Sequence, residues 1–234
     1  ADDSVVLMAF CSDELEFKAG VAEHISEDTV MSVKKATDAV VLQLGQEPKI
    51  CITTPSGLSP GGLIPSGDNL LEGIRLSLGK MFPVFGGTAA DQLNLTRTYQ
   101  FYGDNVLVDA SPFLLIAGSL LFSFGVESGW VPIGPRMTVT KADSNTIYRI
   151  GDDSALDFYK RYLGDNIGIL GADSNSVMVE YPLAVFDENI GEFYLRPAIF
   201  LPPDLKNNSL TAGGNVPEGA TVQIANIADR DKIL

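Results

Sequence analysis

What most constrains this chain is its punctuation: the apolar runs are short, and glycine or proline stands between nearly all of them. Such spacing favours many short strands joined by turns over long helices. The longest apolar stretch, PFLLIAGSLLFSFGV from Pro112 to Val126, is broken at Gly118-Ser119. It falls short of the roughly 20 residues a helix needs to cross a bilayer, so it reads as buried strand and no membrane span is expected. With 45% apolar residues the chain can still bury a real core.

Between these breaks the pattern yields elements. Val5–Phe10 reads as a buried strand, followed by a polar loop, CSDELEFKAG. Ser26 opens a helix with acidic residues in its first turn, and Val33, Ala36, Val40 and Leu44 form its apolar stripe up to Gly45. Lys49–Thr54 is a strand, and the Gly/Pro/Ser segment TPSGLSPGGLIPSG follows it. Asp68 caps a second helix whose face is Leu70, Leu71, Ile74 and Leu78, ended by Gly79. Phe82–Phe85 is a strand ending in Gly86-Gly87. From Thr98 to Ile150 the character is β, with hairpin signals at Gly103-Asp104-Asn105 and Asp143-Ser144-Asn145 and strands at Leu114–Ala117, Leu120–Val126, Arg136–Thr140 and Thr146–Ile150. A third helix runs from about Asp153 to Leu163, closed by Gly164. Val177–Glu180, Leu183–Phe186, Glu192–Leu195, Ala198–Leu201 and Val222–Asn226 complete the strands. Strands in runs with few helices predict an α+β fold with mixed, largely antiparallel sheets, for which a layered α/β sandwich is one arrangement.

Charge and chemistry narrow the function. The formal net charge is −14, which repels phosphate backbones and anionic lipid and argues against nucleic-acid binding. Cys11 and Cys51 have no CxxC or metal-ligand spacing and read as two buried, reduced thiols of a cytoplasmic protein without a signal peptide. His24 is the only histidine, so a His-His metal site is excluded; amid acidic neighbours it reads as a surface residue. No Walker A or GxGxxG motif is present. With no legible nucleophile–base pair, the chain reads as a binder and not an enzyme.

Five residues stand out as a candidate ligand site. Gly86 and Gly87 follow a strand, where backbone amides can cradle an anion or a tight turn can need positive φ. Asp91 can fix a ligand amine or cap its own turn. Trp130, the single tryptophan, lies in ESGWVPIGP, read as a rigid loop offering an aromatic wall or a core plug. Arg196, in the apolar strand FYLRPAIF, needs a partner, either an acidic residue of the fold or a ligand carboxylate.

Several segments together resemble the FIST domains of bacterial signal-transduction proteins: PSGLSPGG with LLEGIRLSLG, MFPVFGGTAAD, TYQFYGDNVLVDA, GVESGWVPIGPRMTVTKADSNTIYRIGDDSALDFYKRYLG, YPLAVFDENIGEFYLRPAIF and GGNVPEGATVQIANIADRDKIL. Gly129-Trp130 with Pro132-Ile133-Gly134 and the helix Ala155–Leu163 are the most specific. The resemblance implies an N-terminal FIST domain over residues 1–164, lacking its start, and the beginning of a C-terminal FIST domain over 165–234. Asp229 as a helix cap with only five residues after it fits a fragment of a longer protein. The resemblance further implies an intracellular sensory module for small molecules such as amino acids, coupled to a signalling output domain or partner protein. Two alternatives stay open: a haem-based nitric oxide sensor with His24 as axial ligand, and a protein-interaction scaffold.

Overall fold

The structure, a computed structural model, describes residues 7–60, 65–91, 94, 96–125, 128–164, 181–187, 192–199 and 202–227. The chain divides into two compact units: Ala1–Pro65 with Asn69–Ser123, and Ser66–Asp68 with Phe124–Leu234.

The first unit is built on a four-stranded sheet in the order β1-β6-β2-β3, from β1 (Leu15–Glu23), β2 (Pro48–Thr53), β3 (Val84–Gly86) and β6 (Ala110–Gly118). β1 pairs with β6 over nine residues, Leu15↔Gly118 to Glu23↔Ala110, and β2 runs antiparallel to β6 but parallel to β3. Two helices, α1 (Thr29–Val41) and α2 (Gly67–Leu78), contribute Val33, Val40, Leu70 and Ile74 to one core with Ala22, Cys51, Phe113 and Leu115 of the sheet. A hairpin of β4 (Gln100–Tyr102) and β5 (Asn105–Leu107) turns at Gly103-Asp104 as the sequence indicates, and the Tyr102 hydroxyl donates to the Ala19 carbonyl.

The second unit holds β7 (Trp130–Asp143), β8 (Thr146–Ile150), the two-residue β9 (Asp153–Ser154), α3 (Ala155–Leu163), β10 (Leu183–Asp187), β11 (Glu192–Arg196), β12 (Ala198–Ile199), a short α4 (Pro202–Asn207), β13 (Leu210–Ala212) and β14 (Thr221–Ile227). Its strand path is β11-β10-β14-β7-β8-β13-β12, with antiparallel pairing throughout and β9 added to β8. The two ends of that path, β11 and β12, are separated in sequence by Pro197 alone, so the sheet must curl until its edges meet. The core lies inside the curl, where Val139, Ile147, Leu183, Leu210 and Ile224 meet Phe158 and Tyr159 of α3. Each such side chain contributes roughly 1.5–3 kcal/mol by leaving water. The Tyr159 hydroxyl is satisfied by the Tyr181 carbonyl at 3.1 Å. The fold is thus α+β and mostly antiparallel, as expected; among the described strands only β2–β3 is parallel.

Several local expectations need correction. The apolar run at the N-terminus is not a strand where it is described: residues 7–10 are irregular, and Leu7 and Met8 are 90% and 72% exposed. The strand is the mixed segment Leu15–Glu23, selected by its long register with β6. Cys11 is accordingly exposed; only Cys51 is buried, and burial pushes its thiol pKa up to about 12. α1 is capped by Asp28, whose carboxylate accepts from the Met31 amide at 3.0 Å; its first turn holds no acidic residue. It ends at Leu42, and Gly45 instead donates its N–H to the Glu16 carboxylate at 2.8 Å. Asp68 sits inside the first turn of α2, not at its cap. Asp153 pairs with Arg161, and the cap of α3 is Ser154, which accepts from the Asp157 amide and donates to its carboxylate. Residues 121–125 form no strand, because β6 stops at Gly118 (φ +111°) and Leu120 folds back to its carbonyl. Trp130 opens the long strand β7 and is not on a loop. α4 and β13 have no counterpart among the elements expected from the sequence. The strand expected at Val177–Glu180 lies outside the described residues.

Candidate functional site

In the first unit, the segments after the parallel strands β2 and β3 leave the same end of the sheet, the end where open α/β sheets usually hold ligands. Here the two segments pack on each other as they leave that end. The Ala89 amide donates to the Pro55 carbonyl at 2.8 Å, and a Cβ on Gly57 would lie 2.1 Å from the Ala89 carbonyl oxygen. Below them lies a buried hydroxyl network. Ser56 Oγ meets Thr98 Oγ1 at 3.0 Å, and Thr98 Oγ1 also accepts the amides of Gly57 and Leu58. Asp109, 4% exposed and at φ +54°, accepts from Ser26 N–H, Ser26 Oγ and Ser59 Oγ at 3.1, 2.6 and 3.0 Å. The Gln100 Oε1 atom is buried there without a donor among the described residues.

Three of the sequence candidates belong to this unit. Gly86 adopts φ +144°, and a Cβ on it would meet the Thr53 carbonyl oxygen at 1.8 Å, so strand packing itself demands glycine. Gly87 is exposed with open space around its Cα. The Asp91 carboxylate accepts the amides of Thr96 and Arg97 at 2.7 and 3.2 Å, organising its own turn. His24 is exposed in the turn after β1, at φ +54°.

The other two belong to the second unit. Trp130 is partly buried and pairs with Ile227 of β14; its indole Nε1 is buried and donates to no described residue. Arg196 ends β11 and lines a pocket of about 370 Å³ with Asp68, Ser144, Tyr194, Asn215 and Glu218, together with the apolar Ala142, Val216 and Pro217. Trp130 is not part of its wall.

The pocket follows from strand geometry. Tyr194 and Arg196 are two apart on β11 and so project to the same face. The guanidinium carbon sits 4.4 Å from the Tyr194 ring centre. Gly214, at φ +149°, leaves room for it: a Cβ there would lie 2.8 Å from Arg196 Nε. Arg196 Nη2 donates to both Asp68 oxygens at 3.1 and 3.2 Å, and Nε donates to the Asn215 carbonyl at 3.3 Å. The Asn215 amide also donates to Asp68 Oδ2 at 2.8 Å, while its side-chain oxygen accepts from Ser144 Oγ at 2.9 Å. Burial pushes the Tyr194 phenol above its ordinary pKa, so it stays protonated and able to donate at neutral pH.

The hydrogen-bonding capacity left over gives the pocket its character. Arg196 Nη1, Asn215 Nδ2 and the Tyr194 hydroxyl make no hydrogen bond among the described residues, and all three belong to residues that line the pocket. Asp68 and Glu218 supply carboxylates. Among the described residues no group of three or more His, Cys, Asp or Glu side chains is placed to hold a metal ion, and no helix is long and apolar enough to cross a membrane. The sequence singled out Arg196 but missed Asp68, Tyr194 and Asn215. The demand of a strand arginine for a partner was the one signal pointing to them.

Comparison with known proteins gives three findings. Residues 1–153 match the FIST N domain. Over 81 residues, 35% of this chain, the sequence is 33% identical to Uncharacterized protein MJ1623 of Methanocaldococcus jannaschii, and that stretch spans 15% of the relative's length. No solved structure matches. With the match running over residues 1–153 of 234, the chain belongs to the FIST N domain family, a family of sensory domains in signal transduction.

Proposed function

We propose that this chain is an intracellular small-ligand-binding sensory domain without catalytic activity, that the pocket at Arg196 is its ligand site, and that its ligands are amino acids or similar small molecules. The observation that carries the reading is one pocket lined by Arg196, Asn215 and Tyr194, each with a donor unengaged among the described residues, together with Asp68 and Glu218. A carboxylate fits the donors and an ammonium fits the acids. Asp68 and Ser144 lie within the family match, whereas Tyr194, Arg196 and Asn215 lie beyond it. On this reading the residues from 165 onward, which supply those three, begin a C-terminal FIST domain. The output is carried by an attached signalling domain or a partner protein.

The test is a thermal-shift and calorimetric screen with amino acids, small carboxylates and haem. Saturating ligand at about 100 times Kd stabilises the native state by roughly 2.7 kcal/mol. The expected result is a saturable shift with an amino acid that disappears in Arg196→Gln. A shift that survives in Arg196→Gln removes the pocket from the reading, and a Soret band on haem addition, lost in a His24 variant, replaces it with the haem sensor.

A further inference from the structure

Resting on the proposed ligand site, we infer that Asp68 is a built-in occupant of the Arg196 guanidinium, and that a zwitterion enters by inserting into this ion pair, its carboxylate taking Arg196 and its ammonium taking Asp68.

A guanidinium holds a carboxylate through two adjacent N–H groups, using either Nη1 with Nη2 or Nε with Nη2. Both arrangements need Nη2. In this structure Nη2 meets both oxygens of Asp68, at 3.1 and 3.2 Å, and Nε is engaged by the Asn215 carbonyl. An incoming carboxylate that takes Nη1 with Nη2 is therefore brought against the Asp68 carboxylate on the same nitrogen. The two anions repel, so two-point capture favours release of Nη2 by Asp68.

Asp68 can let go without being stranded. The Asn215 amide holds its Oδ2 at 2.8 Å independently of Arg196, and the Asp68 side chain is 37% exposed. The released oxygen can take water or an ammonium group. Charge then sets the selectivity. A plain carboxylate that displaces Asp68 leaves two anions beside one arginine, whereas a zwitterion supplies a cation for each anion freed. The internal pair thus excludes simple acids and admits amino acids.

The experiment compares matched probes on the whole chain: each of the twenty L-amino acids and its deamino counterpart, for example L-alanine and propionate. They are titrated by calorimetry into the wild type, Asp68→Asn and Arg196→Gln. Asparagine keeps an oxygen for the Asn215 amide but carries no charge, and circular dichroism verifies that each variant is folded; Asp68→Ser serves if Asp68→Asn is not. The expected wild type prefers an amino acid over its deamino form by at least tenfold. In Asp68→Asn that preference falls to near unity, chiefly because the deamino acid binds at least tenfold more tightly, and Arg196→Gln binds neither probe. An amino-acid preference unchanged in Asp68→Asn, or an equal weakening of both probes, overturns the insertion model while leaving the pocket as the ligand site. Absence of binding by any probe to wild type and Asp68→Asn alike overturns both.

Discussion

The two units each contain a polar cluster built around an aspartate, and they differ in what is left unsatisfied. Asp109 in the first unit is 4% exposed and receives three hydrogen bonds from Ser26 and Ser59, within a hydroxyl network that also ties up Ser56 and Thr98. Asp68 in the second unit is more than a third exposed, and its neighbours retain unengaged donors around a cavity. Burial and polarity alone do not tell a structural cluster from a binding one. Residual donor capacity beside a cavity does: the Asp109 carboxylate is met by its three donors and stiffens its surroundings, with Gln100 Oε1 the acceptor left unmet nearby, whereas donors unengaged among the described residues and lining a cavity can accept a ligand.

Three substitutions put this contrast at risk. The largest effect is expected from Asp109→Ala, which strands the Ser26 amide and two hydroxyls and leaves alanine at φ +54°. A loss of about 4 kcal/mol is expected from the unmade bonds and the left-handed backbone. Denaturant unfolding measures it, and hydrogen exchange should rise in residues 15–23 and 48–53. A loss below about 1 kcal/mol would mean the first cluster is not structural. Gly86→Ala comes next, at about 3 kcal/mol, because its Cβ collides with backbone and not with a side chain that can swing away. The same exchange experiment should show opening of the β2–β3 pairing at Thr53 and Gly86. Arg196→Gln should be mildest in stability, about 1 kcal/mol or less, because the ion pair it removes is partly exposed. A loss as large as that of Asp109→Ala would place the second cluster among the structural ones and erase the distinction.

Where the signal was local, the sequence read well. The hairpin at Gly103-Asp104-Asn105, the strand Thr146–Ile150 and the helix ending at Gly164 stand as read, because turn and cap chemistry act within a few residues. β1 was misplaced because its identity lies in pairing with residues 110–118, about ninety positions away, and not in its own hydrophobicity. The site shows the same limit. An arginine in an apolar strand announces that it needs a partner, and Arg196 could be named on that ground. Its partner Asp68 is 128 residues distant and looked like an ordinary helix cap. Gly86 was legible as a glycine with a purpose, yet only the approach of the Thr53 carbonyl shows that strand packing requires it.

The seam at Pro197 also bears on the time course of folding. The residue before a proline is held to extended backbone, so Arg196 is fixed at the point where the curled sheet meets itself. The pairings that frame it draw on residues 130–150, 183–199 and 210–227, which are far apart along the chain. Contacts of that kind carry a large loop-closure cost and form slowly. The pocket at Arg196 is then complete only once the second unit has finished folding, so a newly made chain acquires this cavity no earlier than its sheet closes.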